Sequence, residues 1–215
     1  MLIPFRQLLF KFKRIPKGII HVGAHIGEEA FQYEECGIDN VIWIEGNPEV
    51  FKVLCENISK YTNNYAFNCI ISDKDNVEVD FNITNNNESS SILELDLHKK
   101  HHPQIYVTNV IKGKTKTLST LFKENKIDIN NYNFMNIDLQ GAELQALIGF
   151  EEFLDKIDMI YTEVNKNTLY KDCTLIDNLD EYLKKWNFKR VETVFTEYEW
   201  GDAYYLKETN DKHII

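Results

Sequence analysis

The chain has 215 residues, with 24 Lys and Arg against 34 Asp and Glu, for a formal charge of −10 with histidine neutral. That length fits one domain, or a domain with a small appendage. Hydrophobic residues at 43% and charged residues at 27% lie near globular averages, which excludes wholesale disorder. An acidic chain repels phosphodiester backbones unless its cations gather in one patch, and no dense Lys/Arg cluster occurs beyond the N-terminus, so nucleic acid is disfavoured as a partner. Cys36, Cys55, Cys69 and Cys173 are widely spaced and form no CxxC pair. That argues against a zinc knuckle or a disulfide scaffold and makes a reducing, cytoplasmic setting the default. No apolar run approaches the roughly 20 residues of a membrane helix, and the chain reads as soluble.

Residues 1–17, MLIPFRQLLFKFKRIPK, carry five cations and no acid. They read as a docking segment that packs Leu8, Leu9 and Phe12 on the domain and leaves its charges in water; contact with a membrane surface or an anionic partner is the alternative. From residue 18, short apolar runs alternate with amphipathic stretches. Gly18 to Val22 predicts a buried strand, Glu28 to Cys36 a helix, and Asn40 to Glu45 a second strand. Pro48 opens a helix whose Val50, Leu54, Ile58 and Tyr61 share one face. Tyr65 to Ser72 is the third strand, Asp73 to Asn76 a turn, and Val77, Val79, Phe81 and Ile83 alternate as a half-buried strand. The polar run Thr84 to Ser91 reads as a surface loop, with closure over a ligand as its functional alternative. Leu118 to Asn125 predicts a helix, Phe134 to Asp138 the fourth strand and Glu143 to Phe150 a helix after a glycine turn. Met159 to Glu163 is the fifth strand, and Leu175, Leu179, Leu183 and Trp186 form the stripe of the next helix. Strands Arg190 to Phe195 and Ala203 to Leu206 flank a turn at Glu199 to Asp202. The domain spans 18–207, and 208–215 is a polar tail. Because such crossovers are right-handed, the expected fold is α/β: a parallel, Rossmann-like sheet with helices on both faces and an antiparallel C-terminal hairpin.

Ligands of such sheets bind beyond the carboxyl ends of the strands. Strand one runs into HVGAHIGEE, where Gly23 and Gly27 bracket a tight loop through Ala24 and His25. Strand two ends in Glu45, followed by Gly46 and Asn47, about 20 residues beyond that loop and placed to accept both hydroxyls of an adenosine ribose. A dinucleotide fingerprint requires three glycines, and GAHIG supplies two, so a cofactor without phosphates, S-adenosylmethionine, is favoured over NAD. Ser72 or Asp73, after strand three, could reach the adenine edge. Asp138, Gly141 and Glu143 place two carboxylates around a glycine turn at the mouth of the site, and Glu163 ends strand five. Their mutual repulsion would raise at least one pKa towards a value useful for a base, or invite a divalent cation. Asp138 is the candidate base or metal ligand, with Glu143 and Glu163 orienting the acceptor. The same acids could instead form a structural hydrogen-bond network, and Glu143 could be a helix-start charge. His98, His101 and His102, before a further strand, read as a solvated segment or as residues lining the acceptor side.

GIIHVGAHIGEEAF, VIWIEGNPEVFKVLCENI, ESSSI and FMNIDLQGAELQALIGFEEFLDKIDMIYTEV follow the order found in FkbM-type methyltransferases, and WGDAYYL looks like their closing hairpin. The chain resembles that family over roughly Pro16 to Lys207, most specifically in DLQGAELQALIG. The resemblance implies a class I S-adenosylmethionine-dependent methyltransferase domain at 18–207 that acts on a hydroxyl, commonly of a sugar in a glycan, nucleotide sugar or glycosylated product. A different small-molecule or protein acceptor, or a non-catalytic adenosine-binding module, is the alternative. Three positions depart from the family pattern. His21 stands where Asp is usual, so a satisfied core histidine competes with a cofactor-binding one; His25 stands where Asn is common; Ser119 stands where Asp is frequent.

Overall fold

The computed structural model describes residues 1–208; of the predicted tail, 209–215 lie outside the described residues. The first element, α1 (Phe5–Phe12), buries Phe5 and Leu8, and Leu9 and Phe12 pack half-buried against the same cluster. Phe5 sits edge-on to Tyr33 at 4.8 Å and to Phe134 at 5.4 Å between ring centroids, which ties the segment to the sheet.

The central sheet contains β1 (Ile19–Val22), β2 (Val41–Glu45), β3 (Asn64–Asn68), β7 (Phe134–Ile137), β8 (Met159–Asn165), β9 (Phe188–Phe195) and β10 (Trp200–Lys207), in the order β3-β2-β1-β7-β8-β10-β9. The first five run parallel. Their near-continuous apolar runs suit strands covered on both faces: every residue of β1, β2, β7 and β8 is buried. β10 inserts antiparallel between β8 and β9. It begins at Trp200, so the turn expected at Glu199 to Asp202 is shorter and Asp202 lies in a strand, paired with Glu163 of β8.

The covering helices are α2 (Ala30–Glu35), α3 (Pro48–Ile58), α5 (Leu118–Glu124), α6 (Glu143–Ile148) and α7 (Ile176–Lys184). Asn47 caps α3 by accepting the Glu49 N–H at 3.1 Å, with Pro48 in the first turn, as N-terminal chemistry favours. Helix α2 starts two residues later than predicted, because Gly27 and the residues after it form a turn.

One predicted element divides. The run Tyr65 to Ser72 is apolar enough for one strand, but the Cys69 N–H turns to the Glu45 carbonyl at 3.0 Å, and the chain leaves β3 for β4 (Ile70–Ile71) in a second sheet. That sheet, ordered β4-β6-β5, joins β4 to β6 (Val107–Lys116) and β5 (Glu78–Thr84). Between β5 and β6 the chain carries the polar loop and the short helix α4 (His98–His101). This insertion leans over the carboxyl ends of the parallel strands, where Leu95 forms a bridge with Tyr170.

Candidate active site

The reversal of strand order at β1 and β7 opens a crevice at their carboxyl ends, the position at which doubly wound sheets bind ligands. The crevice is a cavity of about 510 Å³, within the range that holds a cofactor-sized ligand.

One half is built on the β1 loop. Gly23 has φ +79°, and a Cβ there would lie 1.7 Å from the Asp138 carbonyl oxygen, so only glycine lets β1 and β7 end side by side. His25 also adopts a left-handed φ of 45°, which turns its N–H to Glu45 Oε2 at 2.9 Å. The Asn47 N–H donates to Glu45 Oε1 at 2.7 Å. Each carboxylate oxygen thus holds one backbone N–H and keeps acceptor capacity towards the cavity. Burial raises the Glu45 pKa, opposed by those two N–H groups.

The other half gathers acids. Asp138 follows β7 and keeps an exposed face towards the cavity, with protein packed closely around the rest of it. Desolvation by that surrounding protein pushes its pKa up to about 6, against the lowering effect of a hydrogen bond from Gln140. Glu163, buried in β8, is held well above the usual carboxylate range, first by burial and then by the charges of Asp138, Glu143 and Asp202. Gln140 joins them: its Nε2 donates to Asp138 Oδ1 and to Glu163 Oε2, both at 2.6 Å, while its Oε1 accepts the Tyr170 hydroxyl at 2.6 Å. Its backbone stands at φ 52°, an uncommon setting for a side-chain-bearing residue.

The structure sorts the sequence candidates into two groups. His21, Gly23, Ala24, His25, Glu45, Asp138 and Glu163 line the cavity. Gly27, Asn47, Ser72, Asp73 and Glu143 do not. Gly27 packs towards Leu54, Asn47 is engaged in capping, and Ser72 donates to Asp73 and to Gln145 of α6; Cys69, Ile70, Ile71 and Phe81 form the wall beside it. Glu143 sits beneath the loop, where its Oε1 accepts the N–H groups of Leu139 and Gly141 at 3.0 Å. Burial raises its pKa to about 7 against those bonds. This carboxylate therefore shapes the loop that carries Asp138 and Gln140. His21 is enclosed by Tyr33, Trp43 and Asn136, and burial lowers its pKa, so it is a neutral, satisfied histidine at the cavity floor.

Sequence reasoning missed Gln140, Tyr170, Trp200 and Asp202. Asp202 accepts the Tyr161 hydroxyl and the Leu2 N–H; Gln140 stood inside the DLQGAE block without a role. Among the described residues, a group of three metal-ligand side chains with ligand atoms within 4.8 Å of one another is His25, Glu28 and Glu88, which also line the cavity. No helix among the described residues is long and apolar enough to cross a membrane.

Comparison with solved structures returns the same architecture. M. capricolum TrmK, solved with S-adenosyl-homocysteine, superposes with a TM-score of 0.52 at 12% identity, over 100% of this chain and 73% of that one. PH1948 of Pyrococcus horikoshii, a candidate RNA methyltransferase, superposes with a TM-score of 0.51 at 11% identity, over 96% of this chain and 81% of that one. At such identities the likeness concerns the fold. No protein of curated function matches the chain in sequence. The sequence profile described as the Methyltransferase FkbM domain matches residues 21–190, a span that runs from within β1 through the acid-bearing strand ends into β9. With that match added to the sheet order and the placement of the cavity, the chain belongs to the FkbM methyltransferase family.

Proposed function

We propose that the cavity binds S-adenosylmethionine and transfers its methyl group to a hydroxyl, that of a sugar in a glycan, nucleotide sugar or glycosylated product. The observation that carries this reading is the Asp138–Gln140–Glu163 unit facing the Glu45 half of one cavity. The donor set fits the cofactor: Glu45 has free acceptor capacity for a vicinal diol, the wall at Ile70, Ile71 and Phe81 is apolar enough for a purine, and the β1 loop lacks the third glycine of a pyrophosphate cradle.

When bound, the cofactor supplies an electrophilic methyl group on a sulfonium. The protein must align an oxygen nucleophile with that methyl and take its proton, because a sugar hydroxyl is a weak nucleophile until deprotonation begins. Asp138, with a pKa of about 6, is ionised near neutral pH yet basic enough to accept a proton, a match that efficient general bases need. Gln140 holds the Asp138 Oδ1 lone pair and leaves Oδ2 for the acceptor. Burial and the neighbouring acids hold Glu163 well above the usual carboxylate range, and in its protonated form it can donate to a second acceptor oxygen. A divalent cation remains an alternative aid to the chemistry, and its removal with EDTA reports on it.

A radiolabelled methyl-transfer screen over sugars, nucleotide sugars, lipids and peptides tests the reading. Label on a sugar oxygen supports it; label on nitrogen would refute hydroxyl transfer. Calorimetry showing preference for NAD over S-adenosylmethionine and S-adenosylhomocysteine would refute the cofactor.

A further inference from the structure

Tyr170, in the segment between β8 and α7, lines the cavity with its side chain 1% exposed. Its place is set by backbone on two sides. Tyr170 pairs with Leu95 of the insertion in an isolated bridge, and the next residue, Lys171, donates its N–H to the Glu94 carbonyl at 2.8 Å. On the other side, a Cβ on Gly141 would lie 3.3 Å from the Tyr170 Cβ, so the loop that carries Gln140 packs directly against it. The hydroxyl is therefore delivered to the acid-bearing loop by packing, whatever hydrogen bonds it makes there.

That hydroxyl has one proton and two acceptors within reach, Gln140 Oε1 at 2.6 Å and the Ser89 carbonyl at 3.3 Å. The shorter contact takes it. Burial, and then the charges of Glu163 and Asp138, hold the phenol well above its ordinary pKa, so the group keeps its proton and donates. This donor decides how the amide stands. A glutamine turned over by half a rotation keeps its shape and exchanges its oxygen for its NH₂. As observed, Nε2 directs its two protons to Asp138 Oδ1 and Glu163 Oε2. Turned over, Oε1 would face both acids, and a protonated Glu163 could meet it. Burial and neighbouring charge favour that protonated form, so the acids alone do not forbid the turned amide. Tyr170 disfavours it, because its short partner would become an NH₂ and its proton would be left with the longer Ser89 contact.

From the packing that fixes Tyr170 and the 2.6 Å bond from its hydroxyl to Gln140 Oε1, we infer that Tyr170 is a positioning residue for methyl transfer. It acts through Gln140: it holds the amide in the one orientation that presents N–H groups to both Asp138 and Glu163. With the amide so held, Asp138 Oδ1 is engaged and the carboxylate plane is fixed. With the amide turned over, Asp138 loses that bond and its carboxylate is free to rotate about its last side-chain torsion, which is soft in aspartate. Proton transfer to a misplaced base is slow, since displacements of about 1 Å in a reacting group can cost about 100-fold.

This inference rests on the methyl-transfer reading, and the experiment separates the two. The full chain, labelled with nitrogen-15 in its glutamine side chains, is compared by NMR with Tyr170→Phe, which removes the hydroxyl and keeps the ring. Spectra are taken with and without S-adenosylhomocysteine, and the Gln140 signals are those absent from Gln140→Met. Wild type should give one pair of Gln140 amide protons, shifted downfield by the carboxyl partners and slow to exchange with water. In Tyr170→Phe the pair should move upfield and exchange at least about tenfold faster, with circular dichroism and S-adenosylhomocysteine affinity unchanged. Transfer of labelled methyl at pH 6.5 to the sugar marked in the screen should fall at least about threefold in kcat, with the KM for S-adenosylmethionine unchanged. The double variant Tyr170→Phe/Gln140→Met should be no slower than Gln140→Met alone, because a residue that acts only through another does not add to its loss. Gln140 signals identical in wild type and Tyr170→Phe, or losses of rate that add in the double variant, would overturn the inference. The NMR change with no sugar labelled in the screen would uphold the hold on Gln140 and refute the acceptor reading instead.

Discussion

Replacing Gln140 by Met keeps the length and Cβ of the side chain at φ 52° and removes both donors that hold Asp138 and Glu163. A hydrogen bond to a charged acceptor contributes about 1.5–3 kcal/mol. At 1.36 kcal/mol per pKa unit, loss of the Asp138 bond alone raises its pKa by about 1–2 units, from about 6 to about 7–8. The sign follows from the base role: the ionised form is active, so activity falls as pH drops through the pKa, and a higher pKa moves that acid limb upward. Carbon-13 NMR of the Asp138 carboxyl in the S-adenosylhomocysteine complex measures the shift without an acceptor. The pH profile of kcat/KM should then show the variant slowed roughly tenfold near pH 6.5 and recovering above pH 9. An Asp138 titration identical to wild type, or a loss of rate equal at all pH values, would refute the claim that Gln140 sets the ionisation of the acid pair.

Glu45→Gln presents an amide NH₂ to one of the two backbone N–H groups that the carboxylate now accepts. It should cost about 1–3 kcal/mol of stability and at least tenfold in S-adenosylhomocysteine affinity; unchanged calorimetric binding would remove Glu45 from the cofactor site. Phe5→Ala empties a fully buried ring position under α1 and should destabilise by about 3–5 kcal/mol in urea denaturation, whereas a loss below about 1 kcal/mol would mean that the segment is not part of the cooperative fold. The Glu143 pKa, raised from 4.5 to about 7, means that the folded protein binds the extra proton between those values. Its contribution is therefore full below about pH 4.5 and is lost as pH rises through 7, about 3 kcal/mol in all. Thermal denaturation should show Tm falling across that window, and Glu143→Gln should flatten the slope; an identical slope in the variant would contradict it.

The parallel core was legible because β1, β2, β7 and β8 are buried along their whole length and so read as near-continuous apolar runs. Strand β6 carries a weaker signal. Its VTNVIKGKTK sequence is mostly exposed or half-exposed, and its pairing with β5 comes from antiparallel contacts with distant residues. The break at Cys69 was hidden because Tyr65 to Ser72 is mostly apolar, and the chain turns where the Cys69 N–H and the Asn68 side chain meet the carbonyl of Glu45. At the site, the sequence pointed to Glu45 and Asp138 because parallel strands deliver the side chains at their carboxyl ends to the crevice, and to Glu163, which lies near that end although β8 runs on to Asn165. Glu143 has the same chemistry but belongs to the first turn of α6, and there it faces the loop amides of Leu139 and Gly141. Gln140 depends on a left-handed backbone angle, and Tyr170, Trp200 and Asp202 arrive from chain segments that pattern alone does not bring together.

The central claim is that Asp138 takes the proton of the acceptor hydroxyl. Asp138→Asn keeps the shape of the side chain and removes its basicity, and single-turnover transfer of labelled methyl, read beside S-adenosylhomocysteine calorimetry, isolates that step. A fall of at least about 100-fold in the transfer rate, with S-adenosylhomocysteine still bound, is the predicted result; transfer at near wild-type rate in the variant would contradict the account.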